Sequence, residues 1–456
     1  RRAAAVASLL QARGVLAGDR VAILCRNRIA FFEILFGCAR LGAILVPLNW
    51  RMPPLELAPL VADAGPRLVF YGAEDAAAAT ALGLGDAIGL DDNYEALVAA
   101  AEPGSFRDHW PGDGIWYLLY TSGTTGRPKG VIYTYRMAVA NYVNIGAAID
   151  IRSTDTTLNF LPLFHTAGIN LHSLPTLFQG GRVTILPGFE VEAVIALLAA
   201  RRIDTFFAVP TVYQSLLDHP GFAQLPLDHV RHWGCGGAPL ADALVRRAAA
   251  AGIAVCNGMG MTETGPTAFL QAPADAREKI GSVGKPQLLV GVRLVDRDGR
   301  DVADGEIGEV LFSGPAVTPG YWNNAEATRA AFTADGWLRS GDLARRDADG
   351  FYYVAGRRKE MFISGGENVY PAEVENVLAG HPAVCEAAVV PAPHPKWGEV
   401  GRAFVQVACG RTPPDAAELE AFCRGRLAAY KVPRSFEFVR DFPRTAAGKV
   451  QKHLLQ

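Results

Sequence analysis

Up to about residue 260, short apolar runs alternate with helix-length periodic segments, and this alternation constrains the fold more than any other feature. VAILC (21–25) precedes a helical pattern over 29–41, and ILVPL follows it. IWYLLY (115–120), RVTIL (182–186), TFFAV (205–209), RHWGC (231–235) and IAVCN (253–257) continue the series, with VEAVIALLAARR and ADALVRRAAAAG as intervening helices. Strands that are apolar throughout are buried on both faces, and helices between them imply parallel sheets in an α/β architecture. Past about residue 281 the texture changes. VRLVD, EVLFSG and FYYVAG are separated by DRDGR, ADG and DADG, the pattern of antiparallel strands and tight turns. From about 360 a helix PAEVENVLAG, strands CEAAVV and RAFVQVAC, and a helix DAAELEAFCRGRLAAY make a smaller α+β unit. The expected fold class is α/β. A large N-terminal domain of stacked α/β sheets with a β-rich subdomain spans 1–358, and a small α+β C-terminal domain spans 359–456.

Bulk properties exclude several function classes. The 456 residues carry 44 basic and 46 acidic side chains, so no polyanion-binding face and no nucleic-acid partner is expected. The seven cysteines form no CxxC pair, and the nine histidines show no metal-ligand spacing; buried thiols in a reducing compartment are expected. No apolar run approaches the roughly 20 residues that span a bilayer. RRAAAVASLL at the start reads as helix rather than as a leader, and the expected location is cytoplasmic.

The segment Thr121-Ser122-Gly123-Thr124-Thr125-Gly126-Arg127-Pro128-Lys129-Gly130 directly follows an apolar strand. Its glycines let the backbone wrap an anion, its hydroxyls and N–H groups can donate to phosphate oxygens, and Lys129 supplies a point charge. A polar turn between strand and helix would have the same composition. It is not a Walker loop, because Lys129 lies between Pro128 and Gly130.

YTSGTTGRPKGV resembles the phosphate-loop signature of the AMP-forming adenylate synthetases, which include acyl-CoA synthetases, peptide-synthetase adenylation domains and luciferases. Further matches follow in family order: PLFHTAG (162–168), GCGGAPL (234–240), GMTET (260–264), WLRSGDLARRDADGFYYVAGRRKEMFISGGENVYPAEVE (337–375) and PRTAAGKVQK (443–452). SGGENVYPAEVE and HPKWGEVGRAFVQV look closest to the fatty-acid–CoA ligases.

The resemblance implies an ATP-dependent carboxylic acid–CoA ligase with Mg²⁺ and coenzyme A. Adenine would lie on Gly236, Gly237 and Ala238, with Met259 and Gly260 beside it. A residue at the Met259 position is usually aromatic in the family, and a thioether offers dispersion without a ring to stack. Thr262 would contact the α-phosphate, and Glu263 would help hold Mg²⁺. Asp342 would accept the ribose hydroxyls, with Arg357 as a second contact. Lys449 would be the catalytic ammonium. Lys359 would be the hinge about which the small domain rotates, presenting Ser364, Gly365 and Gly366 to the pantetheine arm. His165 and Tyr213 would line the acyl pocket. Two other readings stay open at this stage: an adenylating enzyme that loads a carrier protein, and a nucleotide-binding homologue without catalysis.

Overall fold

The computed structural model describes residues 1–83, 85–102, 104–121, 128–445 and 448–455. Its first sheet has six strands, in the order Ala87–Gly89, Leu68–Tyr71, Arg20–Leu24, Ile44–Pro47, Ile115–Thr121 and Lys129–Thr134. All neighbours are parallel except the last pair. The second sheet has seven strands, built on a parallel core of Val255–Met259, His232–Cys235, Thr205–Ala208, Thr156–Asn159 and Arg182–Ile185. Two short antiparallel strands, Phe269–Leu270 and Lys285–Pro286, extend its edge. The apolar runs become central strands because helices cover them on both faces, as the unbroken burial of residues 21–24, Ile44–Pro47 and Thr205–Ala208 records.

One local reading is corrected. The segment from Thr121 to Lys129 joins two strands of an antiparallel hairpin, in which Thr121 pairs with Lys129, rather than a strand and a helix. The helix Tyr135–Ile149 begins one strand later, with Thr134 Oγ1 accepting from Met137 N–H at its cap.

Antiparallel β follows as expected. Gly291–Val295, Gly308–Ser313, Leu338–Arg346 and Tyr352–Arg357 form a four-stranded sheet. Leu338–Arg346 was not legible as a strand: LRSGDLARR buries only alternate positions, and its other face is charged. A last, five-stranded sheet takes Phe362–Ser364, Glu367–Val369, Val384–His394, Gly398–Val407 and Ser435–Val439, covered by the helices Pro371–Ala379 and Ala416–Arg424. Five cysteines are buried, Cys385 and Cys409 are exposed, and all seven are free thiols. Among the described residues no helix is long and apolar enough to cross a membrane.

Candidate active site

The site is assembled where strands of the second and third sheets end. After the strand His232–Cys235 the chain turns through Gly236, Gly237 and Ala238. A side chain at Gly236 would press within 2.9 Å of the Gly258 carbonyl oxygen on the neighbouring strand, and Gly237 takes φ +84°. The turn therefore stays flat and open at the strand's carboxyl end, where open α/β sheets hold ligands. The adjacent strand Val255–Met259 runs through Met259 into Gly260 and then the short helical turn Thr262–Thr264.

Glu263 on that turn is buried, and Oε1 accepts from the Tyr321 hydroxyl at 2.9 Å. The Lys129 ammonium stands 4.9 Å from the centre of the same tyrosine ring. Lys129, Tyr321 and Glu263 thus form a line from the hairpin to the second sheet. Tyr133 makes a second link: its hydroxyl donates to the Thr262 carbonyl and lies 2.6 Å from Thr166 Oγ1. This phenol ties the TET turn to the segment carrying His165.

Asp342 and Arg357 face each other across antiparallel strands, with Arg357 Nε 2.6 Å from a carboxylate oxygen. Burial pushes the Asp342 carboxyl up, although Arg357 and Lys449 pull it down. Lys449 sits on a tight turn closed by an antiparallel bridge between Arg444 and Val450 and by Thr445 N–H donating to Lys449 O at 2.8 Å. The turn aims the ammonium into the cleft, where Arg357, Asp342, Glu263 and Glu360 act on it. The side chain stays open to solvent at the cleft mouth, but protein surrounds its path. That desolvation, with Arg357, holds the ammonium below the ordinary lysine range against the opposing carboxylates.

Lys452, one turn further on, grips Glu360 at 2.9 Å and the largely buried Glu375 at 2.7 Å. It pins the Lys449 turn to the segment just after Lys359. Lys452→Met leaves both carboxylates without their cation, so we expect a loss of about 2 kcal/mol in thermal unfolding. Acid-dependent AMP formation should also slow; an unchanged melting curve would show that the contact does no fastening.

His165 is held neutral, its pKa lowered to about 4 by burial first and then by Arg51 and Lys449. Its Nε2 is buried without a hydrogen-bond partner. Tyr213 is a core side chain: it is 1% exposed, packs edge-on to Phe206, and its hydroxyl donates to the Gly234 carbonyl at 2.8 Å. Lys359 lies in an exposed turn between Tyr352–Arg357 and Phe362–Ser364, within which Glu360 N–H donates to Arg357 O at 3.0 Å. Ser364 is buried and Gly365 N–H donates to the Trp397 carbonyl at 2.9 Å, while Gly366 is exposed. Ser122, Gly123, Thr124, Thr125 and Gly126 lie outside the described residues. Sequence reasoning missed Tyr133, Tyr321, Lys452 and Arg51. Each acts through a partner more than fifty residues away, and no local pattern marks it. Arg26 and Arg51 both lie over the Trp50 ring, at 4.5 and 4.9 Å, and line a cavity of about 240 Å³ with Pro162 and Phe189.

This constellation is that of a nucleotide-dependent adenylating enzyme, and comparison with known proteins agrees. The family model "AMP-binding enzyme" matches residues 1–322, and "AMP-binding enzyme C-terminal domain" matches residues 373–449. A feruloyl-CoA synthase from an Amycolatopsis species is 42% identical over 99% of this chain and 91% of its own length. The long-chain-fatty-acid–CoA ligase FadD13 of Mycobacterium tuberculosis is 36% identical over 99% of this chain and 90% of its own. A crystal structure of ATP-bound MatB from Rhodopseudomonas palustris superimposes with a TM-score of 0.92 at 33% identity, over 100% of this chain and 91% of that one. The chain belongs to the AMP-binding enzyme family. Within it, the protein is an AMP-forming, ATP-dependent acid–CoA ligase.

Proposed function

We propose that one site carries out both half-reactions on an organic acid. In the first, the acid's carboxylate attacks the α-phosphorus of ATP, pyrophosphate leaves, and an acyl-adenylate remains. In the second, the CoA sulfur attacks the acyl carbon, its proton passes to solvent, and AMP leaves. The observation that carries this reading is the Lys449 ammonium directed at the cleft that holds Asp342, Arg357 and Glu263. Two anions meet in the first step, and an ammonium shared between them is worth most where protein has displaced water.

The remaining roles follow from donor chemistry. A buried, ionised Asp342 is acceptor-only with two oxygens, which suits the ribose diol, and Arg357 is already beside it. Thr121, Lys129 and the TSGTTGRPK sequence they bound suit the phosphates, Thr262 the α-phosphate, and Gly236 to Ala238 with Met259 and Gly260 the adenine. Glu263 suits Mg²⁺. It is buried, it receives one phenol bond, and among the described residues it forms no ion pair. Mg²⁺ uses one or two carboxylates and completes its shell with phosphates and water, so a single buried glutamate beside the triphosphate is enough. Mg²⁺ there would neutralise charge between that carboxylate and the triphosphate. Lys359 suits a hinge because it lies in an exposed turn two residues past a strand end, and Ser364 to Gly366 suit the pantetheine arm once the small domain turns. His165 suits the carboxylate end of the acyl pocket.

The acid is fatty or a related organic acid; relatives named for ferulate and for long-chain fatty acids both match over nearly the whole chain. Acid-dependent exchange of labelled pyrophosphate into ATP tests the first half-reaction, and CoA-dependent AMP release tests the second. Exchange with no carboxylate in a broad panel would reduce the chain to a nucleotide binder.

A further inference from the structure

Two tyrosines at the root of the hairpin start and relay a chain of hydrogen bonds into the TET turn. Tyr117 and Tyr133 are partners across the antiparallel strands Ile115–Thr121 and Lys129–Thr134, and their rings stack at 4.7 Å with 18° between planes. Both are fully buried. Burial pushes both phenols far above their ordinary range, so each stays a neutral hydroxyl with one proton to give. The Tyr117 hydroxyl donates to Asn170 Oδ1 at 2.6 Å, and Asn170 Nδ2 donates to Thr166 Oγ1 at 3.1 Å. Thr166 Oγ1 stands 2.6 Å from the Tyr133 hydroxyl, which reaches the Thr262 carbonyl. Asn141 steadies the middle of the chain, its Nδ2 donating to the Asn170 carbonyl.

The direction of this chain is forced. A carbonyl can only accept, so the single Tyr133 proton goes to Thr262. The contact with Thr166 must then use the threonine's proton, and Thr166 Oγ1 accepts from Asn170 in return. Four hydrogen bonds therefore run in one sense, from Tyr117 to the Thr262 carbonyl, and bonds aligned in series polarise one another. Phenylalanine at 133, valine at 166 and leucine at 170 would fill the space with no polar atom to satisfy. What the polar set adds is a fixed direction for one peptide. A peptide unit is planar, so holding the Thr262 carbonyl orients the link between Thr262 and Glu263, the residues suited to the α-phosphate and Mg²⁺. The other end is as specific: the strands carrying both tyrosines lead into and out of the TSGTTGRPK segment.

We propose that Tyr133 is a positioning residue for adenylation: oriented by Thr166 and Asn170, its hydroxyl sets the TET turn at a fixed spacing from the phosphate hairpin. This rests on the ligase reading and adds the group that aligns its nucleotide. Tyr321 braces the same turn through the Glu263 side chain, whereas Tyr133 acts on the backbone. A misaligned turn still binds ATP but loses the geometry of the transition state, so the cost falls on kcat.

Acid-dependent pyrophosphate exchange tests it on Tyr133→Phe, Thr166→Val, the double variant and Thr166→Ser. Tyr133→Phe keeps the ring stack and removes only the hydroxyl. Its kcat should fall about 10-fold, while KM for ATP and for the acid stays within about twofold. Thr166→Val has nearly the native shape but no proton to give, and should fall as far. Thr166→Ser keeps the hydroxyl and should recover most of the native rate. The double variant should be no slower than either single one, because each breaks the same chain. A packing role alone would give additive losses, and serine, which lacks the methyl, would be the worse replacement at 166. Native kcat in both single variants, additive loss, or Thr166→Ser slower than Thr166→Val overturns the assignment while the ligase reading stands. Should Tyr133→Phe fail to fold, the valine and serine pair at 166 decides alone. If the native enzyme exchanges label with none of a broad panel of carboxylates, the ligase reading fails and this assignment fails with it.

Discussion

Lys449→Ala should lower acid-dependent pyrophosphate exchange about 1,000-fold, equivalent to about 4 kcal/mol of transition-state stabilisation. The ammonium reaches the cleft from a turn braced by Arg444, whose Nη1 donates to the Gly448 carbonyl at 3.0 Å, so alanine removes charge without loosening the scaffold. Asp342, Arg357, Lys129 and Glu263 belong to other elements and remain in place, and ATP affinity should change only a few-fold. The second half-reaction offers the sharper contrast. Supplied with preformed acyl-adenylate, the variant should still transfer the acyl group to CoA within a few-fold of the native rate. In that step the α-phosphate is a leaving group, and no second anion has to approach it. Equal loss in both half-reactions would mean that Lys449 supports the whole cleft rather than the adenylation chemistry.

The parts of this site that the sequence exposed are those fixed by chain neighbours. Gly236, Gly260 and Thr262 follow apolar strands, and strand ends in parallel sheets are where ligands lie, so motif and topology point to the same place. The hairpin at Thr121 to Lys129 was misread because GVIYT is short and one helix-like segment follows at once. Leu338–Arg346 hid behind its charged face, since a strand with one face toward solvent carries half the apolar signal of a central one. Tyr213 looked like a pocket residue from its place just inside a helix, but its hydroxyl is satisfied by Gly234 in the core. Tyr133 and Lys452 were illegible for a different reason. What they do depends on groups brought near by tertiary packing, Thr262 for the one and Glu360 for the other, and nothing local separates them from an ordinary strand tyrosine or a solvated lysine.

Among the described glycines, Gly260→Ala should be the most damaging added methyl. A Cβ at this position would stand 1.8 Å from the Pro266 carbonyl oxygen and 2.8 Å from both the Pro266 carbonyl carbon and Thr267 Cα. All three are backbone atoms, so no side chain can rotate away. The surrounding loop is also tied down. Ala268 N–H donates to Met259 O at 2.9 Å, Met261 N–H to Thr264 Oγ1 at 3.0 Å, and Thr318 N–H to Glu263 O at 2.8 Å. Relief requires the chain to shift by more than a van der Waals tolerance, carrying Thr262 and Glu263 with it. Overpacking of this kind costs at least about 3 kcal/mol, and displacing reacting groups by about 1 Å costs roughly 100-fold in rate. Gly299→Ala is the control: that residue has a similar lack of side chain at φ +83° with nothing within 4 Å, and should lose only about 1 kcal/mol, the ordinary penalty of the left-handed region. Thermal unfolding of the two variants beside pyrophosphate exchange separates the effects. If Gly260→Ala melts like Gly299→Ala and exchanges at the native rate, the close contact with Pro266 is not a constraint on the site.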